Sequence, residues 1–258
     1  MTGAIEALSA LGETWLALAF AVFLRVGAAM SLFPAFGERS VPERLRLTLA
    51  LGFTLVVIPA VEPIVAPAIE GGIRPVTFLL TETLAGLAIG ISIRLFVLAL
   101  QVAGAIAAQA TSLAQIFGGQ NADPQPAMGH VLMVSGLALA VMLGLHVRLV
   151  EVLIVSYDIF PPGHLPGAEL LSSWGLSRIV QAFALAFTLA APFVVASLVY
   201  NVALGVINRA MPQLMVAFVG APAITAGGLM LLLVTAPIAL GLWHDALAGF
   251  LANPFGAW

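Results

Sequence analysis

Six predominantly apolar stretches dominate the chain: Thr14 to Phe36, Leu47 to Ile69, Val76 to Gln109, Ala127 to Tyr157, Ser177 to Asn208 and Gln213 to Phe250. Each exceeds the roughly 20 residues that a helix needs to cross a hydrocarbon core. Turn-forming residues collect between them, in Gly37-Glu38-Arg39-Ser40-Val41-Pro42, Glu70-Gly71-Gly72-Ile73-Arg74-Pro75, Gly118-Gly119-Gln120-Asn121-Ala122-Asp123-Pro124 and Pro161-Pro162-Gly163. Barrel strands would alternate apolar and polar positions over about ten residues, whereas the segment from Ile179 to Asn208 runs thirty residues without a formal charge. The pattern predicts an all-α, polytopic membrane protein of about six long, partly broken helices.

Some stretches are too long for a simple span. Gln213 to Phe250 has 38 residues, about 57 Å as straight helix at roughly 1.5 Å per residue, against a core of about 30 Å. It is expected to bend, break or leave the bilayer, with Pro222, the Gly227-Gly228 pair and Pro237 as candidate breakers, as Pro192 is in the fifth stretch. Broken helices expose backbone groups that hydrocarbon cannot satisfy, so they pack against protein or line wet cavities. This points to a subunit of something larger. There is no internal repeat or linker, and the chain is treated as one domain. Its first residues carry Glu6 and Glu13 where a signal peptide would carry basic side chains, and read as an uncleaved element. Ile5, Leu8, Leu11 and Leu16 suggest an amphipathic lead-in.

Composition strengthens the membrane reading: 62% of residues are hydrophobic and 8% charged, where soluble domains carry about 25% charged residues. All nine basic residues are arginine and the net charge is −3, with no basic stripe to follow a phosphate backbone, so nucleic acid is not an expected partner. Arginines near short loops set orientation. With the N-terminus outside, Arg39, Arg44, Arg46 and Arg209 fall on cytoplasmic loops and Arg74 and Arg178 on outer ones.

Arg25, Glu82 and Arg94 stand inside apolar stretches, where an ionisable group costs at least about 2.5 kcal/mol on insertion scales. One reading has them snorkelling or paired within the bundle; the other places them on an export path or a subunit contact. Gly86 and Gly90, then Gly104 and Ala108, are spaced for close helix packing without naming the partner helix. Nothing resembles an enzyme. His146 and Glu151 are five residues apart, the other histidines (His130, His164 and His244) lie in different segments, and no H-E-x-x-H, G-x-S-x-G or Walker A pattern occurs. No catalytic residue, metal or cofactor is assigned. A secondary transporter is the alternative of a different class, although no paired interruptions occur in matching halves.

Four stretches, FLRVGAAMSLFPAFGERSVPERLRLTLAL, TETLAGLAIGISIRLFVLALQVAGAIAAQ, LHVRLVEVLIVSYDIFPPG and AAPFVVASLVYNVALGVINRAMPQLMVAFVGAP, cover most of the chain. Together they resemble the FliR (SctT) family of type III export proteins. The most specific is the last, where Asn208-Arg209-Ala210-Met211-Pro212-Gln213 precedes an apolar run ending Gly220-Ala221-Pro222; in the first, Arg25, Pro34, Pro42 and Arg46 match the family pattern. The resemblance implies a non-enzymatic, helical-hairpin subunit of the inner-membrane export gate in the flagellar basal body. It would assemble with FliP-like and FliQ-like subunits and an FlhB-like protein around a conduit for unfolded proteins. Residues of about 1–175 would be the FliP-like part and about 176–258 a FliQ-like hairpin. It further implies that Ile116, Phe117, Gly118 and Gly119 are either a plug in the conduit or a plain interhelical turn. Arg209, Pro212 and Gln213 are hairpin punctuation, a cytoplasmic contact with the FlhB-like protein, or both. The homologous injectisome subunit is the other reading within the family.

Overall fold

A computed structural model describes residues 2–38, 41–71, 75–112, 127–164, 167–211 and 216–256. Among them are seven helices and no strand: α1 Thr2–Met30, α2 Glu43–Glu70, α3 Pro75–Ser112, α4 Ala127–Met142, α5 Leu145–Ile159, α6 Ala168–Ala210 and α7 Val216–Ala252. Five helical segments are long and apolar enough to cross a membrane, and α4 with α5 makes a sixth if the pair counts as one broken span. The all-α polytopic reading therefore stands.

The helix breaks differ from the sequence expectation in two ways. The fourth stretch, read as unbroken, stops at Met142 and restarts at Leu145 because Gly144 adopts φ 86°, a left-handed value that a glycine takes without steric cost. The proposed breakers do not break: α6 runs through Pro192, and α7 is continuous through Pro222, Gly227-Gly228 and Pro237. A proline inside a helix loses one backbone bond and tolerates that loss where neighbours or water replace it. At 43 and 37 residues, α6 and α7 would be about 65 and 56 Å long at roughly 1.5 Å per residue, so each must extend past a hydrocarbon core of about 30 Å. Arg44, Arg46, Arg178 and Arg209, expected on loops, all lie within helices, the first two in the opening turns of α2, Arg209 in the last turn of α6 and Arg178 about three turns into α6.

The chain divides into two compact units, one of residues 1–94, 141–178 and 248–258, the other of 95–140 and 179–247. In the first unit, α1 and α2 form a hairpin. Its turn, Ser31 to Gly37, places Ala35 at φ 66° and brings Gly37 so close that a Cβ there would lie 2.6 Å from the Ser31 carbonyl oxygen. One face of α2 is buried through Ala50, Thr54, Val57, Val61 and Val65. Gly86 and Gly90 let the start of α3 meet α1: added Cβ atoms would lie 2.2 Å from the Arg25 carbonyl oxygen and 2.9 Å from that of Ala29.

In the second unit, a Cβ on Gly104 would fall 2.1 Å from the Gly129 Cα, so glycines on both helices allow α3 and α4 to touch. Trp243 is fully buried and donates its Nε1–H to the Phe96 carbonyl at 2.8 Å, tying α7 to α3. The Tyr200 hydroxyl donates to the Gly220 carbonyl at 2.5 Å, joining α6 and α7 beside their connection.

Candidate functional site

The most constrained polar cluster is built from the stripe that brings α1 and α3 together. Glu82, Gly86 and Gly90 follow at i, i+4 and i+8 and so share one helix face. The two glycines admit the α1 backbone beside Arg25 and Ala29, which leaves Glu82 facing Arg25. Both are essentially inaccessible, with 1% and 0% exposure. Arg25 Nε donates to Glu82 Oε2 at 2.8 Å and Nη2 to Oε1 at 3.1 Å, a two-pronged pair that uses the planar fork of the guanidinium.

The same arginine closes the C-terminal end of α5. Nη2 also donates to the Phe160 carbonyl at 2.7 Å and Nη1 to Ser156 Oγ at 3.2 Å, while Cζ stands 3.6 Å from the Tyr157 ring centroid. A cation at a helix C-terminus complements its unpaired carbonyls, and one over an aromatic face gains further attraction. Glu82 Oε1 accepts the Gly163 backbone N–H at 3.3 Å, so the carboxylate also holds the Pro161-Pro162-Gly163 turn. The Tyr157 hydroxyl is buried without a hydrogen-bond partner among the described residues.

Phe160 connects this cluster to a second one. Its ring meets Trp174 and Phe255 edge-on, with centroids 6.4 and 5.3 Å away, and Trp174 stacks on Phe255 at 5.9 Å. Trp174 Nε1 donates to the Pro254 carbonyl at 3.3 Å and Arg178 Nη2 to that of Gly256 at 3.2 Å. The turn after α7 is thereby fastened to the start of α6. Arg178 is 5% exposed, which explains why a loop assignment fails: its guanidinium holds chain, not solvent.

Of the intramembrane ionisable residues named from sequence, Arg25 and Glu82 are thus brought together. Arg94 is placed elsewhere: it pairs with Glu38, just past the α1–α2 turn, and both side chains are partly exposed. Arg209 is exposed in the last turn of α6. Ile116, Phe117, Gly118, Gly119, Pro212 and Gln213 lie outside the described residues. Sequence reasoning missed Glu38, Ser156, Phe160 and Trp174. Of these only Phe160 carried a signal, as the aromatic residue directly before the Pro161-Pro162-Gly163 turn. The arrangement is a clasp, not a reaction centre: both carboxylate oxygens of Glu82 are committed to donors. Among the described residues no group of three His, Asp or Glu could hold a metal ion.

A model of the bacterial export proteins, family 1, matches residues 16–250. The chain belongs to that family. The export-family match includes every residue of the clasp, from Arg25 through Glu82, Ser156 and Tyr157 to Phe160 and Gly163. The chain is 33% identical over 228 residues to the flagellar biosynthetic protein FliR of Caulobacter vibrioides, covering 87% of this chain and 90% of that one. It is 28% identical to FliR of Escherichia coli K12 across 87% and 86% of the two chains, and 25% identical to FliR of Bacillus subtilis across 83% of each. Membership of an export family and five membrane-length helices make this a multi-pass inner-membrane protein.

Proposed function

We propose that this export-family chain is a structural channel subunit of the flagellar type III export gate. Its role is to build, with FliP-like and FliQ-like subunits and an FlhB-like protein, the conduit through which unfolded flagellar proteins leave the cell. The observation that carries the reading is the 33% identity to FliR over nearly the full length of both chains. The structure is compatible with an assembly role. Phe183, Leu198 and Val202 on α6 and Met230 and Leu233 on α7 are exposed, on helices longer than a bilayer core. Neighbouring subunits would cover what lipid cannot reach.

In this reading residues of about 1–175 act as the FliP-like part and about 176–258 as the FliQ-like hairpin, with Arg209, Pro212 and Gln213 toward the FlhB-like protein. Ile116 and Phe117 close the conduit by excluding water from a narrow apolar passage. Phe117→Ala should then raise small-solute uptake while leaving complex yield unchanged; unchanged uptake with normal assembly rejects the plug.

Deletion of the gene in its own bacterium tests the reading as a whole. It should abolish filament formation and secretion of flagellar subunits, and the wild-type gene in trans should restore both. Intact filaments and secretion in the deletion strain would overturn it, and loss of injected effectors with normal flagella would assign the chain to the injectisome instead.

A further inference from the structure

Helix α2 holds Pro59, Pro63 and Pro67 within its length, and all three are exposed. Proline has no N–H, so the carbonyls of Leu55, Pro59 and Pro63 lose the donors that would close their helical bonds. Positions four apart differ by only about 40° around a helix. The three prolines and the carbonyls beneath them therefore form one strip, opposite the buried face of Ala50, Thr54, Val57, Val61 and Val65. At roughly 1.5 Å per residue, Pro59 and Pro63 fall about 4 and 10 Å from the middle of α2, a helix long and apolar enough to cross a membrane; with α2 centred on a hydrocarbon core of about 30 Å, both would lie inside it.

No threonine hydroxyl on this helix repairs the strip. The Thr48 and Thr54 hydroxyls donate to the Arg44 and Ala50 carbonyls, one turn back on their own account. Glu62, exposed on the flank of the strip, has no ion-pair partner among the described residues. Gly52 opens the same face, where an added Cβ would meet nothing within 4 Å. Hydrocarbon offers no hydrogen bond to three carbonyls and does not solvate a carboxylate. Water does both.

We infer that the proline face of α2 borders water within the membrane, with water donating to the carbonyls of Leu55, Pro59 and Pro63 and hydrating Glu62. Its placement as a wall of an export conduit rests on the function proposed above; its wetness does not.

The chain has no cysteine, so single substitutions report cleanly. Val56→Cys and Gly52→Cys probe the face while keeping every proline, Pro63→Cys probes the strip itself, and Gly71→Cys in the exposed turn is the reference. A charged, membrane-impermeant thiol reagent is applied from both sides of native membranes containing the full complex. The thiolate is the reacting form and does not exist in hydrocarbon, so face positions should react within roughly tenfold of Gly71→Cys. Val56→Cys and Gly52→Cys protected about a hundredfold or more, yet reactive after detergent unfolding, would overturn the inference, whether lipid or protein is the cover. Co-purification from the same membranes separates the two questions. Protection with FliP-like and FliQ-like partners present removes the wet face and keeps the export reading, whereas reactivity without those partners keeps the wet face and removes the export reading.

Discussion

Arg25 spends its guanidinium on four acceptors drawn from α3, α5 and the turn after α5, so one side chain fixes how three helices meet. Removing one member of a buried pair leaves the other charge unmatched and typically costs about 3–5 kcal/mol, while replacing both by apolar groups is often close to neutral. Arg25→Met and Glu82→Leu should therefore each lower the unfolding midpoint and yield of purified protein, and the double variant should recover much of the loss. Additive losses in the double variant would show that the pair is not coupled. Tyr157 gives a subtler test. Its hydroxyl is buried and unpartnered among the described residues while its ring faces Arg25, and an unsatisfied buried group costs about 1–3 kcal/mol. Tyr157→Phe should be neutral or stabilising and Tyr157→Leu destabilising in thermal unfolding. A clear loss in Tyr157→Phe would mean that the hydroxyl has a partner. At this scale the sequence disclosed which residues were expensive, because Arg25 and Glu82 interrupt apolar runs. It could not disclose that they meet, since 57 positions separate them and only the fold closes that distance.

Helices were the most legible level, because hydropathy reports burial in lipid directly: each of the six apolar stretches overlaps α1, α2, α3, α4 with α5, α6 or α7. What hydropathy does not register is backbone dihedral. Gly144 sits in an apolar run between Leu143 and Leu145, and its φ of 86° breaks the helix without any polar residue to mark the place. Prolines mislead in the opposite direction, since those in α2, α6 and α7 sit inside continuous helices. The small-residue spacing was visible at Gly86 and Gly90, and the structure supplies the missing partner, α1. Gly86→Val would push a side chain into the Arg25 backbone, an overpacking change that typically costs about 1–3 kcal/mol. Gly52→Ala, where space is open, should instead be neutral or gain about 0.5–1 kcal/mol from helix propensity. Equal unfolding midpoints for the two variants would contradict the close α1–α3 contact.

For the whole molecule, Arg44, Arg46 and Arg209 lead us to propose that the α1–α2 and α6–α7 connections face the cytoplasm. An impermeant thiol reagent added to intact cells should label Gly71→Cys and spare Arg44→Cys; the reverse pattern would invert the topology. Composition and apolar periodicity were enough for class and membrane location. Function needed more: the described residues offer no catalytic or metal-binding group to read it from, and the proposed role as a gate subunit would lie in surfaces that other proteins complete, of which one sequence carries no imprint beyond family likeness. The central claim is that the chain reaches its working form only within a larger gate, and co-expression tests this most directly. The protein is purified alone and with FliP-like and FliQ-like subunits from the same bacterium, then compared by size-exclusion profile and protease resistance. The account predicts one stable complex containing all three proteins and a heterogeneous, protease-sensitive isolated chain; an isolated chain that is equally monodisperse and resistant, with no partner retained, would contradict it.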